Sequence, residues 1–435
     1  ATYGRRSDWQ DLYSIAKKYY EALLADPGNA LFHLTDPRGA SDKSGRTFNN
    51  PYQYFFEQMH MDDAIYADES IYEYPMQQGG GNDGRPYSFG RPSSGGSKAA
   101  YPCKSYGQGR INPAYFYGVF DPNDMRRDVS ITMTGSNGKG VEKLIPFVPN
   151  SKAEGGGLTL NKWDENRQAN PWVAAQRKSG INGPYMRMSE VYLGYAEVCA
   201  ALGDVVTGKQ YLKTVRERSF PQGLANTDAF IASFGNDLVR AIIEERGFEY
   251  AGEGDRRWTL IRSGYLPEDI KRIKDMTKAM MDGLATKGYY EFENGNIISA
   301  YIWTKLVDAK TIYGHRLTAQ CPTDKVNDPV LYPGWRGQKD NWEEMGLNYG
   351  SSTPATNLAI KGLFEIVSEE EAASLESQGY TKVNWGIDLV DNRDEYDKYL
   401  FWDYDYVSAP IYLWPFTPNV MAAGGFTNGY GFKQE

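Results

Sequence analysis

Apolar and polar residues change period three times along this chain, and each change marks an element. In "SDWQDLYSIAKKYYEALLADPG", Trp9, Leu12, Ile15, Ala16, Tyr19, Tyr20 and Leu23 recur at helical spacing. Ser7 or Asp8 supplies a cap, and Pro27 with Gly28 supplies a stop, so an amphipathic helix of about 17 residues is expected. From about 30 to 180 the period is lost. Gly, Pro, Ser and Asn dominate, as in "PMQQGGGNDGRPYSFGRPSSGGSK". The apolar pieces "ESIYEYPM" and "GVEKLIPFVP" are short enough for strands or brief helices. Loops this long in a folded protein are functional or disordered. Their tyrosines, Tyr87, Tyr101, Tyr106, Tyr115 and Tyr117, argue for function, because disordered segments are poor in aromatics.

Helical period returns at Tyr185. "YMRMSEVYLGYAEVCAALGD" puts Tyr185, Met188, Tyr192, Tyr195, Ala196, Cys199 and Leu202 on one stripe. Gly194, Ala196 and Ala200 leave room for a second helix, and Gly203 suits a C-terminal cap. "VTGKQYLKTVRERS" follows, with Tyr211, Leu212 and Val215 inward. Two amphipathic helices joined by a few residues make a helical hairpin of tetratricopeptide form. A third helix is expected from about Asn236 to Gly252, carrying Leu238, Ile242 and Phe248 inward. Beyond about 285 the pattern is irregular, with Trp303, Trp335 and Trp342 among Gly and Pro. A short polar helix, "SEEEAASLESQG", precedes an apolar, Pro- and Gly-rich end that reads as an extended tail.

The organisation that results is mainly α, a tetratricopeptide-like helical-repeat scaffold with long irregular insertions. Residues 1–30 form a scaffold helix, 31–180 a loop-rich surface for ligand or partner, 181–285 the repeat helices, and 286–435 an irregular segment packed on them. At 435 residues the chain exceeds one ordinary core. Composition narrows the functions. A net charge of -9 argues against nucleic acid, which needs a basic surface. No apolar run reaches the roughly 20 residues of a bilayer span. Cys103, Cys199 and Cys321 are too scattered for a zinc site or a disulfide framework. The chain opens without Met and is expected to be processed or partial, so its start is silent on compartment. Aromatics reach 14%, with 33 Tyr against 3 His, a balance suited to stacking on sugar rings or peptide side chains.

Catalytic signatures are missing: there is no HExxH, GxSxG, Walker loop or strand-borne GxGxxG. His33, His60 and His315 are isolated and read as structural. "DLVDNRDEYD" offers at most a structural calcium ion; a solvated acidic loop is the simpler reading, and no cofactor is expected. The densest charge lies in "EERGFEYAGEGDRRWTLIRSG", where Glu245, Glu249 and Glu253 fall on one helical face. A glycosidase would need a carboxyl of raised pKa, and Arg246, Arg256 and Arg262 beside them lower it. The stretch is therefore expected to clamp a helix to the loop after it.

Three ordered motifs resemble the SusD/RagB family of Bacteroidetes nutrient-binding proteins. "MRMSEVYLGYAEVCAALGD" with "YLKTVRERS" carries Arg187, Glu190, Tyr192, Leu193, Tyr195, Ala196, Glu197, Arg216 and Arg218. "ERGFEYAGEGDRRWTLIR" carries Glu245, Arg246, Glu249, Glu253, Gly254, Arg256, Leu260 and Arg262. The end is similar in Pro410, Ile411, Pro415, Asn428, Gly429 and Tyr430. "FDPNDMRRD" is also similar to the family's segment before the helices. Tyr250 and Thr259 depart, standing for the family's Leu and Asp. The resemblance implies a lipid-anchored protein of the outer-membrane surface, with no enzymatic activity, capping a SusC-like TonB-dependent transporter. It implies capture of an oligosaccharide, or in some members an oligopeptide, with the membrane reached only through an anchor outside this chain. It also implies that an N-terminal part of the family chain lies outside this one. A helical-repeat adaptor binding protein alone and an α-helical glycoside hydrolase are the competing readings. Recognition is expected on the loops, at Tyr87, Phe89, Arg91, Tyr101 and Tyr106, flanked by Asn82 and Asp83, and at Trp335 and Trp342.

Overall fold

The computed structural model describes residues 6–37, 50–60, 66–80, 84–92, 105–136, 142–148, 156–164, 178, 180–308, 356–400 and 416–425. The fold is mainly helical. α1 (Trp9–Ala25) is followed by α2 (Pro51–Gln58), β1 (Ser70–Tyr74) and α3 (Gly84–Phe89). A π-turn at Tyr115–Val119 precedes α4 (Arg126–Ser130). Short strands β2 (Ile131–Thr132), β3 (Thr134–Ser136), β4 (Glu142–Leu144), β5 (Thr159–Leu160) and β6 (Gly183–Arg187) come next. The helical array runs through α5 (Met188–Ala201), α6 (Val205–Glu217), α7 (Thr227–Ser233), α8 (Leu238–Glu249), α9 (Asp255–Ser263) and α10 (Leu266–Lys287).

α5 and α6 form the expected hairpin. Gly203 takes φ 92° at its turn, and Asp204 caps α6 by accepting from the Thr207 amide. A Cβ on Gly208 would meet the Ala196 carbonyl at 2.9 Å, and one on Gly194 would meet the Tyr20 ring at 2.4 Å. The small residues thus set how closely α6 and α1 approach α5. Leu193, Ala196, Leu212, Val215, Ile231, Leu238, Ala241 and Ile242 close a core between α5, α6, α7 and α8. α1 departs from the expected stripe. Tyr13, Ala16, Tyr20 and Leu24 pack on α5, while Leu12, Ile15, Tyr19 and Leu23 face solvent. Among the described residues α1 meets a helix on one side only, so half of its apolar face is left over.

Two elements correct the sequence reading. Tyr185 and Met186 are not helical: they lie on β6, which pairs antiparallel with β1, and α5 begins only after Arg187. Trp303 lies not in irregular chain but in β9 (Tyr301–Asp308). β7 (Tyr289–Glu291) and β8 (Ile297–Ser299) form a hairpin before it, and β9 is the centre of a sheet with β10 (Thr356–Lys361) and β11 (Thr381–Asn384). Both partner strands are distant in sequence, so no local alternation announces them. Ile302, Ile360, Met280, Leu284, Phe116, Phe147 and Trp385 form the core beneath this sheet. The Trp385 indole N–H donates to the Tyr117 hydroxyl at 2.8 Å. The polar helix Glu369–Ser377 carries a full capping box on Ser368. In the end segment, Pro418–Gly424 is helical rather than extended. No helix among the described residues is long and apolar enough to cross a membrane.

Candidate functional site

The stretch from Glu244 to Gly264 is α8, a two-glycine turn and α9, so the expected trailing loop is itself a helix. Gly252 and Gly254 take φ 82° and 93°, left-handed values that L side chains resist. Asp237 starts α8 by accepting from the Arg240 amide. The face of α8 bearing Glu245 and Glu249 turns into the protein and meets side chains from distant segments. Arg126 reaches Asp124, Glu245 and Glu249 at 2.7, 2.7 and 3.1 Å. Arg187 reaches Glu69 and Glu253, each at 3.0 Å, and Glu249. Arg218 meets Glu69 and, at 2.7 Å, Glu249; Arg216 meets Glu245 at 2.7 Å; Lys162 meets Glu253 at 2.6 Å. This network sets five cations (Arg126, Arg187, Arg216, Arg218, Lys162) against five carboxylates (Glu69, Asp124, Glu245, Glu249, Glu253). Nearly all are fully buried, so neutrality is a condition of its existence.

Electrostatics follow from that composition. Burial alone would raise the Glu249 carboxyl, but Arg187, Arg218 and Arg126 overcome it and hold the group far below the usual carboxylate range. Lys162 goes the other way. Burial lowers it to about 8 despite the short contact with Glu253, with Arg187 adding like-charge repulsion. The ion pair and the lowered value are consistent, because desolvating an ammonium costs more than one partner returns.

Three smaller groups extend the charged core. Arg256 and Arg272 both bind Glu244 and Asp269 at 2.7–3.0 Å, joining α8, α9 and α10. Arg246 spans Glu190 and Asp255 at 2.7 and 2.6 Å. Thr259, standing where the resembled motif has Asp, accepts from Arg246 at 3.3 Å and donates to Asp255 at 2.9 Å, so Asp255 takes the charged contact. Arg262 grips both oxygens of Glu197. Glu197 and Asp269 are lowered, their arginines outweighing burial. Carboxylates held in this way stay ionised at neutral pH and have no proton to give. Sequence reasoning missed Glu69 and Lys162, which stand in the loop-rich segment without a local partner pattern, whereas Asp124 and Arg126 belong to "FDPNDMRRD" and pair two residues apart.

The loop residues named as ligand contacts divide. Tyr101, Trp335 and Trp342 lie outside the described residues, as do Asn82 and Asp83. Tyr87 and Tyr106 are half-buried against each other, edge to face at 5.0 Å. The Tyr106 amide donates to the Tyr87 carbonyl at 2.8 Å, and Ser105 bonds the Pro86 and Gly90 carbonyls. Phe89, at the end of α3, is exposed. Arg91 is buried, donates to the Thr134 hydroxyl at 2.8 Å and faces Asp164 at 3.9 Å. Trp303 is likewise buried in β9. His33 pairs with Asp68, and His60 bonds the Phe56 carbonyl and the Asp164 amide. The acidic run near Asp388 sits on short helices, where Asp388 accepts from Asn384. Among the described residues no group of His, Cys, Asp or Glu is arranged to hold a metal ion.

A SusD-like protein, P25, of Formosa agariphila is 28% identical over 160 residues, covering 37% of this chain and 26% of that protein. A SusD homologue from Bacteroides thetaiotaomicron superposes with TM-score 0.39 at 18% identity, over 61% of this chain and 51% of the other. Surface glycan-binding protein A of the same organism, in complex with laminarihexaose, gives 0.40 at 18%, over 60% and 52%. NanU of B. fragilis gives 0.39 at 16%, over 60% and 53%. The chain thus spans about half the length of these solved relatives. The sequence model of the SusD family matches residues 32–415, and the chain belongs to that family.

Proposed function

We propose that this chain is part of a cell-surface, lipid-anchored binding protein that captures an oligosaccharide and passes it to a SusC-like TonB-dependent transporter. The observation that carries the reading is family membership across residues 32–415. Relatives whose ligands are named point to glycans, as the laminarihexaose complex does. The charged core supports a non-catalytic role. Its carboxylates are paired with arginines, and Glu249, Glu197 and Asp269 are lowered, the reverse of what a glycosidase acid requires. The clustered charge therefore serves packing, and recognition belongs to the loops and strands that the helices support.

A glycan array probed with the purified chain tests this, with a panel of oligopeptides beside it. Retention of one oligosaccharide class, and co-purification of the protein with an outer-membrane barrel, are the expected results. Retention of peptides alone would replace glycan by oligopeptide. Cleavage of a bound sugar, abolished by one Glu or Asp substitution, would overturn the non-enzymatic reading.

A further inference from the structure

β1 and β6 form a two-stranded ribbon whose two faces differ sharply. Its inner face is polar and buried. Glu73 accepts from the Ala67 amide at 2.9 Å, the Ser70 hydroxyl at 2.5 Å and the Asn182 side chain at 3.0 Å. Arg187, at the end of β6, is tied into the buried charge network. The exposed residues of the ribbon are Ile71, Tyr72, Tyr74, Tyr185 and Met186, and none carries a formal charge. Tyr72 and Tyr74, two residues apart, share a face by the strand's own period, and the register shift that leaves Tyr185 without a paired residue sets its ring against both.

Tyr72, Tyr74 and Tyr185 are 54%, 48% and 66% exposed. Tyr185 stands edge-on to Tyr72 at 5.5 Å and 86°, and to Tyr74 at 5.7 Å and 73°. Tyr72 and Tyr74 are 6.1 Å apart and inclined at 60°. Arg85 borders the group. Its guanidinium lies 5.7 Å from the Tyr74 ring centre and against Gly183, where a Cβ would collide with it. Arg85 opens α3, so the ribbon adjoins the element that carries Tyr87 and Phe89.

From this geometry we infer that the Tyr72–Tyr74–Tyr185 face is a platform on which an uncharged pyranose ring of an oligosaccharide stacks. Charge complementarity selects that occupant. The face is uncharged and each ring ends in a hydroxyl, which matches a sugar's apolar C–H face and hydroxyl rim. The rings are also presented on strands fixed from behind, so less freedom is lost on binding. The inference rests on the glycan-binding reading above and locates it on a surface outside the loop residues singled out from sequence.

The test titrates the wild-type chain, Tyr72→Ala, Tyr74→Ala, Tyr185→Ala and the triple variant with gluco-, manno-, galacto- and galacturono-hexaose. Wild type is expected to bind a neutral hexaose. Each single change should weaken it roughly two- to tenfold, the range of one aromatic contact, and the triple variant should bind beyond measurement. The corresponding Phe variants should keep most of the affinity, which separates stacking from hydroxyl contacts alone. Melting temperatures of the single variants should match wild type, since these rings face solvent. Wild-type binding that the triple variant retains would overturn the platform and leave the glycan reading standing. Binding of galacturono-hexaose alone would overturn the neutral-ring assignment. If the triple variant keeps hexaose binding and loses only capture of an outer-membrane barrel, the face belongs to a protein partner and the platform alone falls; if wild type binds none of the four, the platform and the neutral-oligosaccharide reading fall together.

Discussion

Replacing Glu249 by Gln removes one negative charge and almost no volume from the centre of the buried network. Its oxygens accept from Arg187, from Arg218 at 2.7 Å and from Arg126 at 3.1 Å. The amide offers one acceptor and turns an N–H toward guanidinium donors. Five buried cations then face four carboxylates. Breaking a fully buried ion pair costs about 3–5 kcal/mol, against a total stability of about 5–15 kcal/mol for folded proteins. The expected result of urea denaturation followed by circular dichroism is a loss of that size. Adding Arg218→Met restores neutrality at four against four. The double variant should therefore be less destabilised than the sum of the two single changes, by about 1–3 kcal/mol of coupling. Acid gives an independent check. A carboxyl lowered in the folded state contributes stability above its unfolded value of about 4.3, and that contribution fades as pH falls through the folded value. Wild type and Glu249→Gln should accordingly converge on acidification below about pH 4. A loss under about 1 kcal/mol, with additive effects in the cycle, would refute the view that this network holds the helices together.

Other outcomes follow from single contacts. Lys162→Met should cost far less than Glu249→Gln at neutral pH, because Glu253 keeps its two bonds from Arg187 and the buried ammonium is already disfavoured. Lys162 is lowered in the folded state, so the unfolded chain binds more protons between about 8 and 10.5. Wild-type stability should rise with pH across that window, and the variant's should not; equal slopes in denaturation midpoints would contradict the assignment. Gly194→Ala places a methyl against the Tyr20 ring and should loosen α1. Faster amide exchange in residues 9–25 with α8 unchanged is the expected reading, and unchanged exchange throughout would show that α1 does not depend on close approach.

Local periodicity made α5 and α6 legible, because each buries its stripe against the other a few residues away, and it marked α1 as a helix without showing which side meets α5, far along the chain. It overran at Tyr185, whose spacing to Met188 is helical, because pairing with β1 more than a hundred residues away holds it extended. Trp303 was misplaced for the same reason: its strand partners arrive only after residue 355. The charges of α8 could be read as paired from their mixture of signs. Which cations they met could not, since Arg126, Lys162 and Arg187 come from elements whose order in space is set by the tertiary fold. Arg91 shows the opposite error. An arginine in a polar loop reads as surface, yet Thr134 and Asp164 give it a buried berth.

The proposed role for this SusD-family chain is to hold a glycan without altering it. Calorimetric titration with the oligosaccharide retained on an array, followed by chromatography of the sugar after prolonged incubation, tests it most directly. Saturable, reversible binding and recovery of the sugar at its original length are expected. Shortened products that grow with time, or no saturable binding of any oligosaccharide, would contradict it.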